Sequence, residues 1–478
     1  ECGYCGRGLH RVRKKLELQA LAESGCGIGH TRWATHGEPS DVNSHPHSTP
    51  RVSIVHNGII ENYKELRERL EAHGYEFKSE TDTETVAHLV DYLHTGKQED
   101  LAKTVLAAVQ RLRGSYALGV VSMDNTQEIV AARRGNPLVI GIGEGENMIA
   151  SDITAIISRT RKFIILDDNE VAIVRPDEVI VMNEFGDKVE KEVQTVNWDM
   201  SAAEKGGYQH FMLKEIMEQP KAVTDTVTPR IKNNAVCFED NGLTDERLRD
   251  IENIHIIGCG SALHAGMVGK RVIEAMCRIR CSAEVASEFR YENPIIGKKD
   301  MCIVISQSGE TADTLAAMRL AKQAGAFTIA IVNVVSSTIA READGVLYTW
   351  AGPEIAVATT KAYSAQLAAL YLISVKIARV RGLISIGDER ALCAELQRLP
   401  ECVTEALKCQ PDMQRIATLY ANRPSVFFLG RGLDYAAALE ASLKLKEISY
   451  IHSEAYAAGE LKHGTISLIE DGTLVVAL

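Results

Sequence analysis

The stretch Met301-Cys-Ile-Val-Ile305, followed by the turn Ser306-Gln-Ser-Gly-Glu-Thr311 and the Ala/Leu-rich residues 312–325, decides the fold of the second half of this chain. A short apolar run that ends in a Ser/Gly turn is typical of a fully buried strand. The residues behind the turn have the composition and length of a helix. The sequence therefore predicts a strand, a tight turn and a helix, which together form the unit of a parallel sheet covered by helices.

The turn also has the chemistry of an anion-binding site. Free backbone N–H groups and the helix dipole attract anions at the start of a helix. Ser306, Ser308 and Thr311 add hydroxyl donors, and Gly309 allows the backbone to approach a ligand closely. A capped helix behind a serine-rich turn has the same local sequence, so the residues alone leave both interpretations open. The Gly-x-x-x-x-Gly-Lys-Ser/Thr motif of a nucleotide P-loop does not occur.

The pattern of strand, Gly-x-Gly turn and helix occurs twice. Asn253-Ile-His-Ile-Ile257 runs into Gly258-Cys-Gly260, and Ser425-Val-Phe-Phe-Leu429 runs into Gly430-Arg-Gly432. A repeat of this size predicts duplicated domains rather than a solenoid. We expect the second copy to be incomplete, because the chain stops in the strand-like residues 472–478, which would leave an unfinished sheet edge.

The first part of the chain has a different pattern. Residues 1–197 combine short Val/Ile-rich runs with helical segments and predict one β-rich unit, and the polar stretch that follows ends in Lys205-Gly-Gly207. We therefore expect a linker with connecting helices at 198–244, a first α/β domain at 245–390 and a truncated second one at 409–478.

Composition excludes several classes of function. The formal net charge of −11 argues against general binding to nucleic acid or to an anionic membrane surface. No apolar run is long enough to span a bilayer, and no export signal opens the chain. The 11 cysteines lack the spacing of a disulfide framework, which fits reduced thiols in a cytoplasmic protein. The isolated Cys2-x-x-Cys5 pair is a weak indication of a metal site, and we expect none.

Two motifs near the start suit amide chemistry on glutamine. They are Gly29-His-Thr-Arg-Trp-Ala-Thr-His-Gly37 and Val55-His-Asn-Gly58. Together with the Ser306–Thr311 turn, and with the segments Ser442-Leu-Lys-Leu-Lys-Glu447 and Ala457-Ala-Gly-Glu-Leu-Lys-His-Gly464, they resemble the glutamine–fructose-6-phosphate aminotransferase family. The resemblance extends nearly end to end from about Gly27.

The resemblance implies both a fold and a reaction. It implies an αββα N-terminal-nucleophile (Ntn) hydrolase sandwich, followed by two doubly wound parallel-sheet sugar isomerase (SIS) domains. The expected substrates are glutamine and fructose 6-phosphate, and the expected products are glutamate and glucosamine 6-phosphate. The family chemistry is covalent and acid/base, so neither a metal nor another cofactor is expected. A cytoplasmic homodimer is expected as well.

In the glutamine site, the resemblance assigns roles to five residues. Arg32 would bind the α-carboxylate with its planar fork, and Asp82 would bind the α-ammonium group. Thr35 and His36 would line the same pocket, and Trp33 would gate the exit of ammonia. Without the resemblance, Arg32 and Asp82 would be interpreted as surface charges and Trp33 as a core aromatic.

Asn57 and Gly58 would form the oxyanion hole, through a side-chain amide and a backbone N–H. Removal of one such donor typically costs about 10²–10³ in rate. The family nucleophile is an N-terminal cysteine whose own α-amine acts as the base. Here Glu1 precedes Cys2, so either Cys2 is the displaced nucleophile or the true start is missing. The second interpretation is slightly favoured.

In the sugar site, the resemblance assigns the phosphate and the pocket. The phosphate ligands would be Ser306, Gln307, Ser308 and Thr311, and the pocket would be lined by Val357, Ala358 and Thr359. The family's Gly-Thr-Ser motif is Gly260-Ser-Ala262 here, which removes one hydroxyl near the sugar.

Three further residues would carry the isomerisation. Glu447 would move a proton between C1 and C2, and burial could tune it for this task. Lys444 lies three residues earlier on the same helical face and would stabilise the open-chain oxyanion. His463, contributed by the partner subunit, would open the ring. A Schiff-base lysine in the family's C-terminal tail has no counterpart up to Leu478.

Two alternatives remain open at the level of sequence. A non-catalytic SIS-domain regulator would bind a phosphosugar without transforming it, but it would not need Lys444, Glu447 and His463. A related deglycase would keep the fold and act on another ketose. Arg32 and Asp82 favour glutamine as the nitrogen donor, although they do not identify the acceptor.

Overall fold

The computed structural model describes residues 25–31, 37–38, 40–94, 100–195, 205–238 and 241–478. The chain divides into two compact units, and the described residues up to 195 belong to the first unit and those from 205 onward to the second. In the described residues, no helix is long and apolar enough to cross a membrane.

The first unit contains two antiparallel sheets. Its strands are β1 His47–Ser48, β2 Val52–Ile60, β3 Gly114–Ser122, β4 Ile129–Arg134, β5 Val139–Ile142, β6 Asn147–Ala150, β7 Lys162–Ile165, β8 Val171–Val174, β9 Val179–Met182, β10 Lys188–Val189 and β11 Gln194–Thr195. The larger sheet has the order β1-β2-β3-β4-β8-β9-β10, and the smaller one has the order β11-β7-β5-β6. Apolar side chains such as Ala131, Ile140 and Ile164 fill the space between the two sheets.

Helices cover the outer face of the larger sheet. They are α1 Tyr63–Ala72, α2 Asp82–Leu93 and α3 Leu101–Val109. α2 begins at Asp82, because the Thr81 hydroxyl accepts a hydrogen bond from the Glu84 N–H. Val86 and Val90, one turn apart, pack with the sheet residue Leu118 in one apolar core. On the smaller sheet, the short 3₁₀ segment Ile153–Ala155 contributes Ile153 to a separate cluster.

The second unit begins with connecting helices and continues as an α/β structure. Its strands are β12 Ile231–Lys232, β13 Ala235–Val236, β14 Asn253–Gly258, β15 Arg280–Val285, β16 Asp300–Ser306, β17 Phe327–Val332, β18 Gly345–Tyr348, β19 Ser425–Gly430, β20 His452–Ala457 and β21 Leu474–Ala477. Its helices are α4 Phe211–Met217, α5 Gln219–Val227, α6 Asp245–Asp250, α7 Ser261–Cys277, α8 Ala286–Phe289, α9 Ala312–Gln323, α10 Thr338–Glu342, α11 Lys361–Val380, α12 Ile386–Leu407, α13 Gln410–Tyr420 and α14 Leu433–Ser449, with 3₁₀ turns at Thr228–Arg230 and Thr465–Leu468.

The first repeat is a parallel sheet in the order β15-β14-β16-β17-β18. Every residue of β16 is buried, because helices cover both faces of this central strand. Ile303 packs in a core with residues of α7 and α11, whereas its neighbour Val304 packs in a second core with residues of α8, α9 and α10. The continuous apolar run in the sequence therefore reflects burial on both faces.

The second repeat follows the same plan. Its parallel strands have the order β20-β19-β21, which matches β15-β14-β16 of the first repeat. The helices α7 and α14 each contain 17 residues, follow a glycine with positive φ, and end at a left-handed residue, Arg278 or Tyr450. These two equivalent helices pack against each other and join the repeats. The internal repeat predicted from the sequence is confirmed.

Candidate active sites

Asn57 and Gly58 lie on β2, which is flanked by β1 and β3 in the larger sheet of the first unit. They pair with Ala117 and Tyr116 of β3. Gly58 has a φ of +135°, and a Cβ atom on it would lie 2.1 Å from the carbonyl oxygen of Ser115. Only glycine fits this backbone position, so its N–H can be presented without a side chain in the way.

The side chain of Asn57 is oriented by a histidine. His30 Nε2 lies 2.7 Å from Asn57 Oδ1, and the His30 ring packs against His45 with centroids 4.4 Å apart. When Nε2 carries the proton, it donates to Oδ1 and leaves the Nδ2 group of Asn57 to donate elsewhere. An amide N–H beside a backbone N–H is the arrangement that an oxyanion hole requires.

Asp82 lies at the start of α2, beside the end of β2. It is 3% exposed, and its Oδ2 accepts a hydrogen bond of 2.8 Å from the Ile60 N–H. The next residue, Thr83, bonds to His56 Nδ1 at 2.9 Å. These two contacts hold a buried carboxylate next to the strand that carries Asn57. A buried acid with spare acceptor capacity suits an ammonium group.

The remaining glutamine-site residues lie outside the described part of the chain. They are Cys2, Arg32, Trp33, Thr35 and His36. Their roles stay predictions.

In the second unit, the predicted phosphate turn lies between β16 and α9, at the carboxyl edge of the parallel sheet. The Ser306 hydroxyl accepts a hydrogen bond from the Gly309 N–H at 3.0 Å and lies 2.9 Å from Thr311 Oγ1. Ser308 Oγ accepts from the Glu310 N–H at 3.2 Å. The turn is therefore held by its own hydrogen bonds, with its hydroxyls gathered at the start of a helix of 12 residues.

Gly309 is required by this turn. Its φ is +67°, and a Cβ atom there would lie 1.9 Å from Ser337 Oγ. The Gly309 carbonyl accepts from the Ile339 N–H at 3.0 Å, and the carboxylate of Glu310 accepts from the Thr338 N–H at 2.7 Å. The turn is thus fastened to the start of α10.

Two carboxylates shape the loop that carries Val357 and Ala358. Glu215 on α4 accepts from the N–H groups of Ile355 and Ala356, at 2.6 and 3.0 Å. Burial raises the pKa of Glu215, and the two backbone donors act against that shift. Glu354 accepts from the Thr360 N–H at 2.8 Å at the start of α11. Within the loop, Val357 is 64% exposed and Ala358 is buried.

Lys444 and Glu447 form an ion pair on α14. Lys444 Nζ also lies 3.6 Å from Glu440 Oε1, one turn earlier on the same helix. The pair is only partly exposed, so it is more than a solvated surface contact. His463 lies in an exposed turn after β20, where its N–H donates to the Glu460 carbonyl at 2.9 Å.

Comparison with known proteins identifies the family to which the chain belongs. The profile of a glutamine amidotransferase domain matches residues 30–158, and that of the SIS domain matches residues 247–376 and 419–478. The glutamine–fructose-6-phosphate aminotransferase (isomerizing) of Caldanaerobacter subterraneus subsp. tengcongensis is 54% identical over 475 residues, which are 99% of this chain and 78% of the relative. The chain belongs to the glutamine–fructose-6-phosphate aminotransferase family.

Other members of the glutamine–fructose-6-phosphate aminotransferase family agree. The Clostridium tetani enzyme of that name is 52% identical over 477 residues, covering 99% of this chain and 78% of the relative. Among solved structures, the C-terminal domain of glucosamine-fructose-6-phosphate aminotransferase from Francisella tularensis is 40% identical. It covers 57% of this chain and 77% of that domain with a TM-score of 0.56. The predicted fold class, an amidotransferase sandwich followed by SIS domains, is confirmed.

Within this family framework, the structure brings some predicted residues together and adds others. Asn57, Gly58 and Asp82 lie on neighbouring elements, and Lys444 touches Glu447. Other residues had no role predicted from the sequence. His30, Glu215 and Glu440 contact predicted site residues or their loops, and Ser261 and His264 contact Glu440. In the described residues, no group of three or more His, Cys, Asp and Glu side chains is arranged to hold a metal ion.

Proposed function

We propose that this chain transfers the amide nitrogen of glutamine to fructose 6-phosphate and isomerises the ketose to an aldose, giving glucosamine 6-phosphate and glutamate. One observation carries the proposal: a single chain contains an organised oxyanion-type site at Asn57 and Gly58, and an organised phosphate-type turn at Ser306–Thr311. Family membership agrees with both halves of this reaction.

The first unit supplies the nitrogen in this proposal. The Asn57 amide and the Gly58 N–H would stabilise the oxyanion that forms when a cysteine thiolate attacks the glutamine amide. Asp82 would bind the α-ammonium group, and Arg32 would bind the α-carboxylate. Thr35 and His36 would complete the pocket, and Trp33 would control the release of ammonia. Cys2 stays one candidate for the nucleophile.

The second unit uses the nitrogen. Ser306, Gln307, Ser308 and Thr311 would hold the phosphate, while Val357 and Ala358 would line the pocket of the sugar. Glu447 would take a proton from C1 and return it to C2, and Lys444 would hold the oxygen whose charge develops during that transfer. We further propose a homodimer, since His463 would act on the sugar of the partner subunit. A cytoplasmic location stays a prediction from the sequence.

The two alternatives differ from this proposal in what they require. A phosphosugar-binding regulator has no use for a Lys444–Glu447 pair or for an oxyanion site. A deglycase would use another ketose, and it would release an amino acid instead of consuming glutamine.

The native protein should be incubated with glutamine labelled with ¹⁵N at the amide and with fructose 6-phosphate. We expect ¹⁵N to appear in glucosamine 6-phosphate, with one glutamate formed for each amino sugar. Native protein that releases no glutamate and forms no amino sugar would contradict the proposal. Label recovered in ammonia alone would restrict the activity to that of a glutaminase.

A further inference from the structure

A buried carboxylate connects the two repeats of the second unit. Glu440, on α14 of the second repeat, is 7% exposed. It accepts hydrogen bonds from two side chains on the first turn of α7, which belongs to the first repeat. Ser261 Oγ lies 2.7 Å from one carboxylate oxygen, and His264 Nδ1 lies 2.7 Å from the other.

The same carboxylate competes for the ammonium group of the proposed catalytic pair. Lys444 Nζ is 3.6 Å from Glu440 Oε1 and in direct contact with Glu447. Two carboxylates thus face one ammonium group in a half-buried position, where charges are screened less than at the surface. An acceptor that already receives a donor on each oxygen attracts the ammonium group less strongly.

We infer that Ser261 and His264 are positioning residues. Their hydrogen bonds occupy the carboxylate oxygens of Glu440, so that Lys444 remains paired with Glu447. The inference rests on the proposed function, because it concerns the pair assigned to the proton transfer. Neither residue needs to touch the sugar for this role. Through these contacts the first repeat supplies hydrogen-bond donors to a carboxylate of the second repeat.

The titratable groups around Glu440 lie on three helices. In the described residues, the titratable side chains near Glu440 are His264 on α7, Lys444 on α14 and Tyr363 on α11. Two carboxylates and one ammonium group leave one negative charge when His264 is neutral, and none when it is protonated. The protonated ring of His264 and its neutral Nδ1–H tautomer can both donate from Nδ1, so the hydrogen bond forms with either charge.

A purely structural role would make a different prediction from a positioning role. If Ser261 and His264 only held the repeats together, their loss would lower stability and would not depend on the charge of residue 440. If they act by hydrogen bonding to Glu440, a neutral residue at position 440 should restore the activity lost with them, because an amide does not compete for an ammonium group as a carboxylate does.

The test uses His264→Phe and the milder Ser261→Ala in the native protein. We expect His264→Phe to lower kcat for glucosamine 6-phosphate formation about tenfold or more, with KM for fructose 6-phosphate changed less than about threefold. His264→Asn, which can donate from the position of Nδ1, should recover most of the activity. Glu440→Gln in the His264→Phe background should do the same.

Two controls complete the test. His452→Phe removes a histidine that is exposed on β20 and should leave kcat unchanged. Glutamine hydrolysis, measured without sugar, should also be unchanged in every variant. The inference is overturned if the double variant is as slow as His264→Phe alone, or if Ser261→Ala and His264→Phe keep the wild-type kcat.

A second readout does not depend on activity. In a crystal structure of His264→Phe, we expect Lys444 Nζ to lie closer to Glu440 than to Glu447. If Lys444 remains paired with Glu447 in this variant, the inference is wrong even if the protein makes amino sugar. Conversely, if native protein makes no amino sugar but the lysine moves as expected, the proposed function fails while the positioning role stands.

Discussion

His30 Nε2 lies 2.7 Å from the side-chain oxygen of Asn57, on the strand that also carries Gly58. An asparagine amide can be turned by 180° at little cost in shape, which exchanges its donor and its acceptor. With the proton on Nε2, the contact from the His30 ring selects the orientation in which Nδ2, and not Oδ1, is left for a ligand. The geometry of the proposed oxyanion hole depends on this choice.

Replacing His30 should reduce glutamine hydrolysis without weakening glutamine binding. We expect His30→Phe to lower kcat for glutamate release by about 10- to 100-fold, somewhat less than the usual cost of deleting an oxyanion donor. KM for glutamine should change little, because the lost orientation matters mainly in the transition state. His73→Phe, at the exposed end of α1, is the matched control. Equal losses in the two variants would refute the role given to His30.

Replacing Asp82 should weaken glutamine binding, whereas replacing His30 should mainly lower kcat. The Asp82 carboxylate is buried and already bonded to the Ile60 N–H, so Asp82→Asn keeps the shape but loses the charge. We expect KM for glutamine to rise about 100-fold, since a charge-assisted contact with an ammonium group is lost. Glu65→Gln on the exposed face of α1 should behave as wild type. Steady-state kinetics of glutamate release at saturating and limiting glutamine would separate the two constants.

Replacing Gly309 tests the proposed phosphate-binding turn of the second unit. Gly309→Ala would force a Cβ atom to within 1.9 Å of Ser337 Oγ at a φ of +67°, so the turn must move or strain. We expect KM for fructose 6-phosphate to rise at least about tenfold. We also expect the free energy of unfolding of the second unit to fall by about 1–3 kcal/mol. Glutamine hydrolysis measured without sugar should be unaffected.

Gly387→Ala provides the matched control. This glycine lies within α12, lacks a positive φ, and would bring its new methyl no closer than 3.5 Å to Ser385 Oγ. An alanine there should be neutral or stabilising by roughly 0.5–1 kcal/mol. The interpretation of the turn would be wrong if the two alanine variants bound the sugar phosphate equally well.

Local signals in the sequence identified much of this structure. The apolar run before Ser306 predicts β16, since a strand buried on both faces has no polar alternation. Thr81 marks the start of α2 because its hydroxyl caps the helix. The turn at Gly309 could be predicted as well, since its Ser, Gly and Thr residues have a direct conformational meaning.

The supporting contacts could not be predicted in this way. Ser261 and Glu440 are separated by 179 positions, and Glu215 lies 140 positions before Ile355. Neither pair shares a helix or a strand, so no periodicity relates its members. Each contact exists only because tertiary packing brings together elements that the local pattern leaves independent. The family resemblance named residues at the reaction centre but not the residues that hold them.

The pH dependence of stability provides a further prediction, for the first unit. Burial acts to raise the pKa of Glu84, but the neighbouring His88 side chain and hydrogen bonds from Lys78 N–H and Ser79 prevail and lower it from 4.5 to about 2. A carboxyl group whose pKa is depressed in the folded state stabilises the fold above its unfolded pKa. That contribution, at most about 3 kcal/mol, is lost as the pH falls from about 4.5 toward 2.

This loss can be measured by urea unfolding of the native protein between about pH 7 and about pH 3. Unfolding is monitored through hydrogen exchange of peptides from α2, and all samples are quenched at one fixed pH. Glu84→Gln should cost about 1–3 kcal/mol at neutral pH, because a neutral amide is a weaker acceptor for the donors at residues 78 and 79. It should also flatten the acid dependence. Glu76→Gln, at an exposed position in the same loop, should retain the wild-type slope. An unchanged slope in Glu84→Gln would mean that another carboxylate carries the acid sensitivity of this unit.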